Sequence, residues 1–128
     1  MARRVVILGG GFAGIQTAIE LSRVTSGDAF DVTLVADQNY FLFTPLLPQV
    51  ASSTVDPRHI AQPIRDLRAQ RSFRFLRGEV ERVDLERKQC STCDVTLDYD
   101  YLVVAPGSRA DYFGIAGARE TTVSASGY

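Results

Sequence analysis

Residues 5–14, Val-Val-Ile-Leu-Gly-Gly-Gly-Phe-Ala-Gly, set the topology that we expect for the whole chain. Their apolar first half predicts a short strand buried on both faces, as the strands of parallel sheets are. From Phe12 to about Val24, apolar residues recur at near-helical spacing, which predicts a helix. Residues 30–35, Phe-Asp-Val-Thr-Leu-Val, are rich in β-branched side chains and predict a second strand. Strand, glycine turn, helix and strand in this order form one βαβ unit, so the sequence predicts an α/β fold.

The segment from Gly9 to Gly14 matches the pattern G-x-G-x-x-G. In this pattern Gly9 permits a tight turn, Gly11 lets the backbone approach a pyrophosphate, and Gly14 lets the helix pack close to the strand. The free N–H groups and the partial positive charge of the helix N-terminus then bind the phosphates, so no lysine is required. The first basic residue after the pattern is Arg23. The segment therefore predicts a dinucleotide site.

An acidic residue after the second strand is a further feature of such a site. Twenty-two residues separate Gly14 from Asp37, close to the roughly 20 expected for the acid that binds the ribose. The preceding strand, the following helix and this acid together favour a dinucleotide site over a glycine-rich connection that binds no ligand. The glycine pattern alone does not separate NAD from FAD.

The sequence patterns that predict secondary structure are weaker in the middle of the chain than in the βαβ unit. Residues 39–48 are apolar and contain two prolines, which predict an irregular loop because proline interrupts helices and central strands. Asp56 followed by Pro57 has the pattern of a helix cap and a first helical residue. We expect a helix from there through Arg71, or one that begins again at Pro63.

The second half of the chain predicts strands over residues 73–103. Alternation of apolar and polar residues after Gly78 favours an antiparallel meander. Residues 101–105 are again continuously apolar and predict a return to the parallel sheet, followed by a turn at residues 106–108. The tail from residue 117 to residue 128 has no apolar periodicity, and we expect it to be irregular.

Several segments together resemble the type II (non-electrogenic) NADH dehydrogenases, which are single-subunit NADH:quinone oxidoreductases. The resemblance covers roughly residues 4–118. Its most specific part is the block at residues 41–50, because generic Rossmann proteins have no such Pro-Leu-Leu-Pro loop after the second strand. The other matching segments are residues 5–14, 32–35, 56–65, 78–80 and 99–108.

The resemblance implies a flavoprotein of the pyridine nucleotide-disulfide oxidoreductase superfamily, with FAD in the first domain and NADH in a second. Carried over by position, the FAD pyrophosphate would contact Gly9, Gly10, Gly11, Phe12, Ala13 and Gly14. Asp37 would bind the ribose, and the backbone of Val80 would hold the adenine. The residues implied near the flavin ring are Thr44, Pro45 and Leu46. The residues that match an Ala-Thr-Gly turn close to FAD are Ala105, Pro106 and Gly107.

Three departures from the family pattern qualify these assignments. Ala36 stands where the ribose-binding acid usually follows the strand, and Asp37 comes one residue later, which changes side-chain direction. Pro106 replaces a threonine and so removes a hydroxyl and an N–H. The second dinucleotide domain, the quinone-site motif, the later Gly-Asp motif and the C-terminal amphipathic helix are absent. We therefore expect a truncated Rossmann-type FAD-binding domain over residues 1–116, with an irregular tail.

The resemblance implies an FAD-dependent oxidoreductase that passes electrons from NADH through FAD to a quinone, with this chain as its FAD-binding fragment. Two alternatives stay open. One is another FAD-dependent reductase of the same superfamily, such as a sulfide:quinone or ferredoxin reductase. The other is a non-catalytic or incomplete dinucleotide-binding fragment. We assign no catalytic acid or base, because hydride transfer to a flavin is the chemistry of the cofactor.

The remaining residues have plainer interpretations. Cys90 and Cys93 have no histidine ligands nearby for a zinc site, and we interpret them as incidental thiols on a surface hairpin. His59 is interpreted as a residue on the surface of a helix. The aromatic residues of the apolar loop are compatible either with flavin contact or with core packing. They are Tyr40, Phe41 and Phe43.

Composition narrows the range of partners. The net charge of −1, with 45% hydrophobic and 23% charged residues, is ordinary for a soluble domain and argues against a nucleic-acid partner. No apolar run approaches the roughly 18 residues of a membrane span. We expect a cytoplasmic location and, for the full enzyme, NADH and a quinone as substrates with peripheral contact to the cytoplasmic face of the membrane.

Overall fold

The computed structural model describes residues 2–24, 29–69, 72–109 and 111–121. The predicted βαβ unit is confirmed as strand β1 (Arg3–Leu8), helix α1 (Phe12–Val24) and strand β2 (Phe30–Ala36). Strands β1 and β2 pair in parallel over their full common length. The helix begins where the glycine turn ends, so the turn lies directly beyond the carboxyl end of β1.

Two further parallel strands complete the main sheet. Strand β5 (Arg74–Arg77) pairs with β2, and strand β9 (Tyr101–Val104) pairs with β1. The strand order is β5-β2-β1-β9. Because all pairs are parallel, the carboxyl ends of all four strands meet at one edge, which is where doubly wound folds bind their ligands.

Side chains of β1 alternate between two cores, as the pleat of a strand requires. Val5 and Ile7 pack with α1, whereas Val6 and Leu8 face the opposite side of the sheet. The core on the helix side is fully closed at its centre, where Ile7 has an exposed fraction of 0%. Burial of both faces explains why the strand sequence is continuously apolar.

The predicted antiparallel meander covers the second face of the sheet. It consists of β6 (Val80–Asp84), β7 (Gln89–Thr92) and β8 (Thr96–Asp98). Cys90 of β7 packs against Val6, Leu8 and Val35 of the parallel sheet with an exposed fraction of 1%. The expectation of two surface thiols is therefore wrong for Cys90, because its strand turns that side chain toward the sheet.

The predicted irregular loop at residues 39–48 is more regular than expected. It contains strand β3 (Tyr40–Leu42), a 3-10 turn at Thr44–Leu46 and a short helix α2 (Leu47–Ala51). Pro45 and Pro48 each lie in the first turn of their helical segment, where the missing N–H removes no intrahelical hydrogen bond. The two prolines therefore begin the helical turns that they were expected to prevent.

The predicted continuous helix from Asp56 to residue 71 is wrong. The chain makes a 3-10 turn at Pro57–His59, then strand β4 (Ala61–Pro63), and only then helix α3 (Ile64–Ala69). Strand β4 pairs antiparallel with β3, a contact between distant residues that local propensity does not report. The restart at the proline is confirmed, since α3 begins directly after Pro63.

The Asp56 cap is confirmed, and it has a testable pH dependence. The Asp56 carboxylate accepts a hydrogen bond from the Arg58 N–H at 2.9 Å and pairs with the Arg58 guanidinium at 2.6 Å. The side-chain hydrogen bond from Arg58, followed by the backbone one, lowers the pKa of Asp56 from 3.8 to about 2. A carboxylate with a lowered pKa stabilises the fold above its unfolded pKa and loses that effect as the pH falls through the folded value.

We expect Asp56→Ala to lower Tm by a few degrees at neutral pH, because the turn loses its cap and its ion pair. The difference from the unchanged protein should shrink between pH 3.8 and about 2, the window set by the two pKa values. Thermal melts followed by circular dichroism across this range measure it, with Asp56→Asn as a capping control that does not titrate. A difference in Tm that is as large near pH 2 as at neutral pH is incompatible with this role.

The end of the described chain contains one further short element. Helix α4 (Ala118–Thr121) is a single turn within the segment expected to be an irregular tail. The remainder of that expectation, for residues 122–128, lies outside the described residues. Among the helices of the described part, none is long and apolar enough to cross a membrane.

Candidate cofactor-binding site

A cleft of about 320 Å³ opens at the carboxyl edge of the parallel sheet. All four strands contribute to it, through their last residues or through the residues that follow them. It is lined by Leu8, Gly9, Val35, Ala36, Asp37, Gly78, Glu79, Val80, Val104, Pro106 and Arg109. The cleft thus lies where the topology of the sheet predicts a ligand.

A larger groove of about 760 Å³ lies at the amino edge of the sheet, around Arg3, Arg4 and Asp31. Within this groove Arg4 pairs with Asp98, and Asp31 pairs with Arg74. Parallel sheets bind ligands at their carboxyl edge, so the smaller cleft is the candidate site.

The three glycines of the pattern have different structural requirements. Gly9 has a φ of +109°, and a Cβ there would overlap the carbonyl oxygen of Ala105. A Cβ on Gly14 would overlap the carbonyl oxygen of Gly9, because the helix passes so close to the end of β1. Around Gly11, by contrast, no atom lies within 4 Å of the Cβ position. Gly9 and Gly14 are therefore required by the protein's own packing, whereas Gly11 leaves space for a ligand.

The N-terminus of α1 faces this space without competition from the protein. The helix starts with a hydrogen bond from the Ile15 N–H to the Gly11 carbonyl at 3.0 Å, and its first turn has no acidic side chain. Phe12 and Ala13 are exposed there. The partial positive charge of the helix end is available to an anion, as a dinucleotide pyrophosphate requires.

The segment after β9 forms one side of the cleft. The Ala105 N–H donates to the Leu8 carbonyl at 2.8 Å, so the parallel pairing continues one residue beyond the strand. Pro106 lines the cleft, and Gly107 turns the chain away with a φ of +74°. Because proline has neither hydroxyl nor N–H, this wall offers apolar contact where a threonine would offer hydrogen bonds.

Asp37 lies at the rim of the cleft, directly after β2. The side chain of Ala36 is buried, with its Cβ 2.9 Å from the Cβ position of Gly10, which leaves no room there for a carboxylate. Asp37 is exposed, and its backbone carbonyl accepts a hydrogen bond from Arg77 Nε at 3.1 Å. The shift of the acid by one residue thus moves it from the packed turn to the open rim. Its role on the ribose stays a prediction.

We expect Asp37→Ala to weaken FAD binding about tenfold, the loss that follows from removing a charged acceptor from a ribose hydroxyl. Titration calorimetry with FAD measures this effect. Asp31→Ala is a control with the same change in net charge, because Asp31 lies on β2 at the opposite edge of the sheet from the cleft. Equal FAD affinity in the Asp37 and Asp31 variants would rule out the ribose role.

The segment expected near the flavin ring is connected to the glycine turn through aromatic side chains. The Phe12 ring meets the ring of Phe41 edge-on at 4.8 Å and that of Phe43 at 5.5 Å. Phe43 directly precedes the 3-10 turn at Thr44–Leu46. This aromatic cluster, defined as Phe12, Phe41 and Phe43, connects the glycine turn to the expected flavin segment.

The sequence left Tyr40, Phe41 and Phe43 open to flavin contact or core packing, and the structure separates Phe41 from Phe43. Phe41 is half-buried and packs against the core on the helix side. Phe12 and Phe43 have exposed fractions of 46% and 40%, large for phenylalanine side chains in contact with each other. Core packing therefore accounts for Phe41, and the two exposed rings stay available to a bound flavin.

Sequence reasoning assigned no role to two charged residues that line the cleft, Glu79 and Arg109. Glu79 lies within the matching segment at residues 78–80, but the family pattern assigns a role there only to the backbone of Val80. Arg109 directly follows the matching segment at residues 99–108, and no motif contains its side chain. Both are charged and line the same cleft as Asp37.

The thiols and the histidine lie apart from this cleft. Burial raises the pKa of Cys90, and a hydrogen bond to Asp94 raises that of the exposed Cys93. A reactive thiol needs a lowered pKa, so neither cysteine has the environment of a redox nucleophile. His59 is exposed on the 3-10 turn, which agrees with its interpretation as a surface residue.

The sequence profile of the pyridine nucleotide-disulphide oxidoreductase family matches residues 3–126. The chain belongs to this family. Its members are FAD-dependent, which agrees with the open glycine turn and the helix N-terminus described above. The family also explains the fold, a Rossmann-type parallel sheet with an antiparallel meander on one face.

Curated relatives within the family confirm the resemblance seen in the sequence. The chain is 33% identical to the external alternative NAD(P)H-ubiquinone oxidoreductase B4 of Arabidopsis thaliana mitochondria, over 92% of this chain and 22% of that protein. It is 31% identical to the type II NADH:quinone oxidoreductase of Staphylococcus haemolyticus, over 92% of this chain and 29% of that protein. The chain thus spans about a quarter of the length of these relatives.

Solved structures agree at the level of the fold. The sulfide:quinone oxidoreductase of Aquifex aeolicus superposes with a TM-score of 0.85 at 32% identity, over 93% of this chain and 27% of that one. NDH2 of Plasmodium falciparum in complex with NADH superposes with a TM-score of 0.80 at 30% identity, over 94% of this chain and 25% of that one.

Proposed function

We propose that this chain is the FAD-binding part of an oxidoreductase that transfers electrons from NADH to a quinone. The observation that carries the proposal is the glycine turn, in which Gly9 and Gly14 are fixed by packing while Gly11 faces open space at a helix N-terminus. The names of the relatives support the electron donor and acceptor, since they include NADH:quinone and NAD(P)H-ubiquinone oxidoreductases.

The residues of this chain would bind and orient the cofactor. The first turn of α1 would hold the pyrophosphate through backbone N–H groups, and Asp37 would accept hydrogen bonds from the ribose. The wall of Val80 and Pro106 would enclose the adenine, and Thr44–Leu46 would lie beside the flavin ring. When bound, FAD supplies the redox chemistry, taking up a hydride equivalent and releasing electrons one or two at a time.

A second candidate function is oxidation of sulfide, because a sulfide:quinone oxidoreductase superposes well on this chain. A sulfide-oxidising flavoprotein needs a reactive cysteine near the flavin. Cys90 is buried in the core under the meander, and neither it nor Cys93 lines the cleft. Their raised pKa values also oppose thiolate formation, so neither thiol of this chain supports the sulfide candidate.

A chimera tests the proposed function. This chain would replace the matching N-terminal part of the Staphylococcus haemolyticus type II enzyme, and NADH oxidation would be followed with a soluble quinone. We expect a flavin-loaded chimera that oxidises NADH, and no turnover from the same chimera with Gly11→Ala. A folded chimera that holds no FAD, or that holds FAD without oxidising NADH, would refute the assignment of this chain as the FAD-binding part of such an enzyme.

A cytoplasmic location and peripheral membrane contact belong to the proposal as well. Cell fractionation of the native protein tests both. Recovery in the membrane fraction, with release by high salt, would support peripheral contact because surface electrostatic binding is screened by salt.

A further inference from the structure

Arg109 is a positively charged residue of the cleft to which the proposed function assigns no role. It lines the cleft and is exposed to solvent. Asp37 and Glu79 line the same cleft, yet within the described residues Arg109 forms an ion pair with neither. Its guanidinium is therefore not neutralised by the carboxylates nearest to the site.

The cleft has the chemical arrangement that an adenosine group requires. Its floor is apolar, formed by the ends of three parallel strands at Leu8, Val35 and Val104. Glu79 and Val80 come from the start of the meander, whereas Pro106 and Arg109 come from the segment after β9. A planar base in this cleft would have apolar side chains on one side and the exposed residue Arg109 within the same lining.

A guanidinium suits a nucleobase for two reasons. It is planar and weakly hydrated, so it stacks on aromatic faces where the ammonium group of lysine does not. Its charge is attracted by the π face of the ring, with a gain that grows as the contact is desolvated. Pro106, where the family has threonine, offers no hydroxyl and no N–H to a ligand in the same cleft.

We propose that Arg109 stacks on the adenine of bound FAD and is a determinant of affinity for the adenosine half of the cofactor. The inference rests on the proposed function for its ligand, and it adds a binding residue that the glycine pattern does not contain. Because the contact is made to the adenine, ADP should depend on Arg109 as FAD does.

Titration calorimetry with FAD and with ADP tests the proposal on the whole 128-residue chain. We expect Arg109→Ala to weaken both ligands by about three- to thirty-fold, the range that corresponds to a guanidinium–ring contact. Arg87→Ala is the matched control, since Arg87 is exposed in the turn between β6 and β7 and the variant has the same net charge. That control should bind both ligands as the unchanged protein does.

A lysine variant separates stacking from charge. Arg109→Lys keeps the charge but loses the planar group. We therefore expect its affinities for FAD and ADP to be reduced nearly as much as those of Arg109→Ala. Full recovery by lysine, or FAD and ADP affinities in Arg109→Ala equal to those of the unchanged protein, would overturn the proposal. Failure of the unchanged protein to bind FAD would instead overturn the proposed function and this inference with it.

Discussion

Gly11→Ala should leave the protein folded and reduce its affinity for FAD by about a hundredfold or more, because the added methyl group would occupy the space that the pyrophosphate needs. Within the protein itself nothing lies within 4 Å of that methyl position. The residue is also exposed and has no left-handed backbone conformation that would require glycine.

Two measurements on the same sample check this expectation. Thermal melts should show Tm within a few degrees of the unchanged protein, and FAD titration should show little or no binding. FAD affinity that survives the substitution would place the pyrophosphate elsewhere, even if the protein were fully folded. A large fall in Tm would show that Gly11 is required by packing, contrary to the geometry of the turn.

Gly14→Ala is expected to destabilise the fold itself, by about 3 kcal/mol or more. Its methyl group would overlap the carbonyl oxygen of Gly9 and approach the Ile7 side chain at 3.5 Å. The Gly9 carbonyl and the Ile7 side chain belong to β1 or to the turn after it. To accommodate the methyl group, α1 would therefore have to move away from the strand. That movement would open the core around Ile15 and Ala18, which are both buried.

Urea denaturation measures the free energy of unfolding for this variant. Gly11→Ala serves as the control, because it makes the same chemical change three residues away in open space. If the two variants were equally stable, α1 would not approach β1 as closely as the structure shows. FAD binding by Gly14→Ala should also fall, as a consequence of the displaced helix N-terminus.

The βαβ unit could be predicted because its signals are local. An apolar run, glycines at fixed spacing and a helical period all lie within residues 3–36, and each matches the observed element closely. The meander and the return of β9 to the parallel sheet were also predictable, from alternation and from a continuous apolar run.

The segment from residue 39 to residue 69 could not be predicted in the same way. Its strands β3 and β4 exist because they pair with each other across an intervening helix and turn. Neither strand has more than three residues, too few to show a period. Local signals such as Pro57 therefore suggested a helix where pairing with a distant strand determines the structure.

The residues of the candidate site also divide into those that local sequence predicts and those that only the fold brings together. The glycines and Asp37 could be proposed as site residues from their spacing, because the motif relates chain position to an expected ligand contact. Arg109 and Glu79 come together only because β5 and β9 end at the same edge of the sheet as β1. Cys90 was assigned to the surface because nothing in a short alternating strand indicates which face meets the sheet.

Binding of FAD to the purified chain is the first property to measure. The protein would be mixed with excess FAD and passed through a gel-filtration column, and its flavin absorbance would be recorded alongside its circular dichroism. We expect the flavin bands to elute with the folded protein at close to one FAD per chain, and to be lost in Gly11→Ala. A folded protein that elutes without flavin would contradict the assignment of the glycine turn as an FAD site.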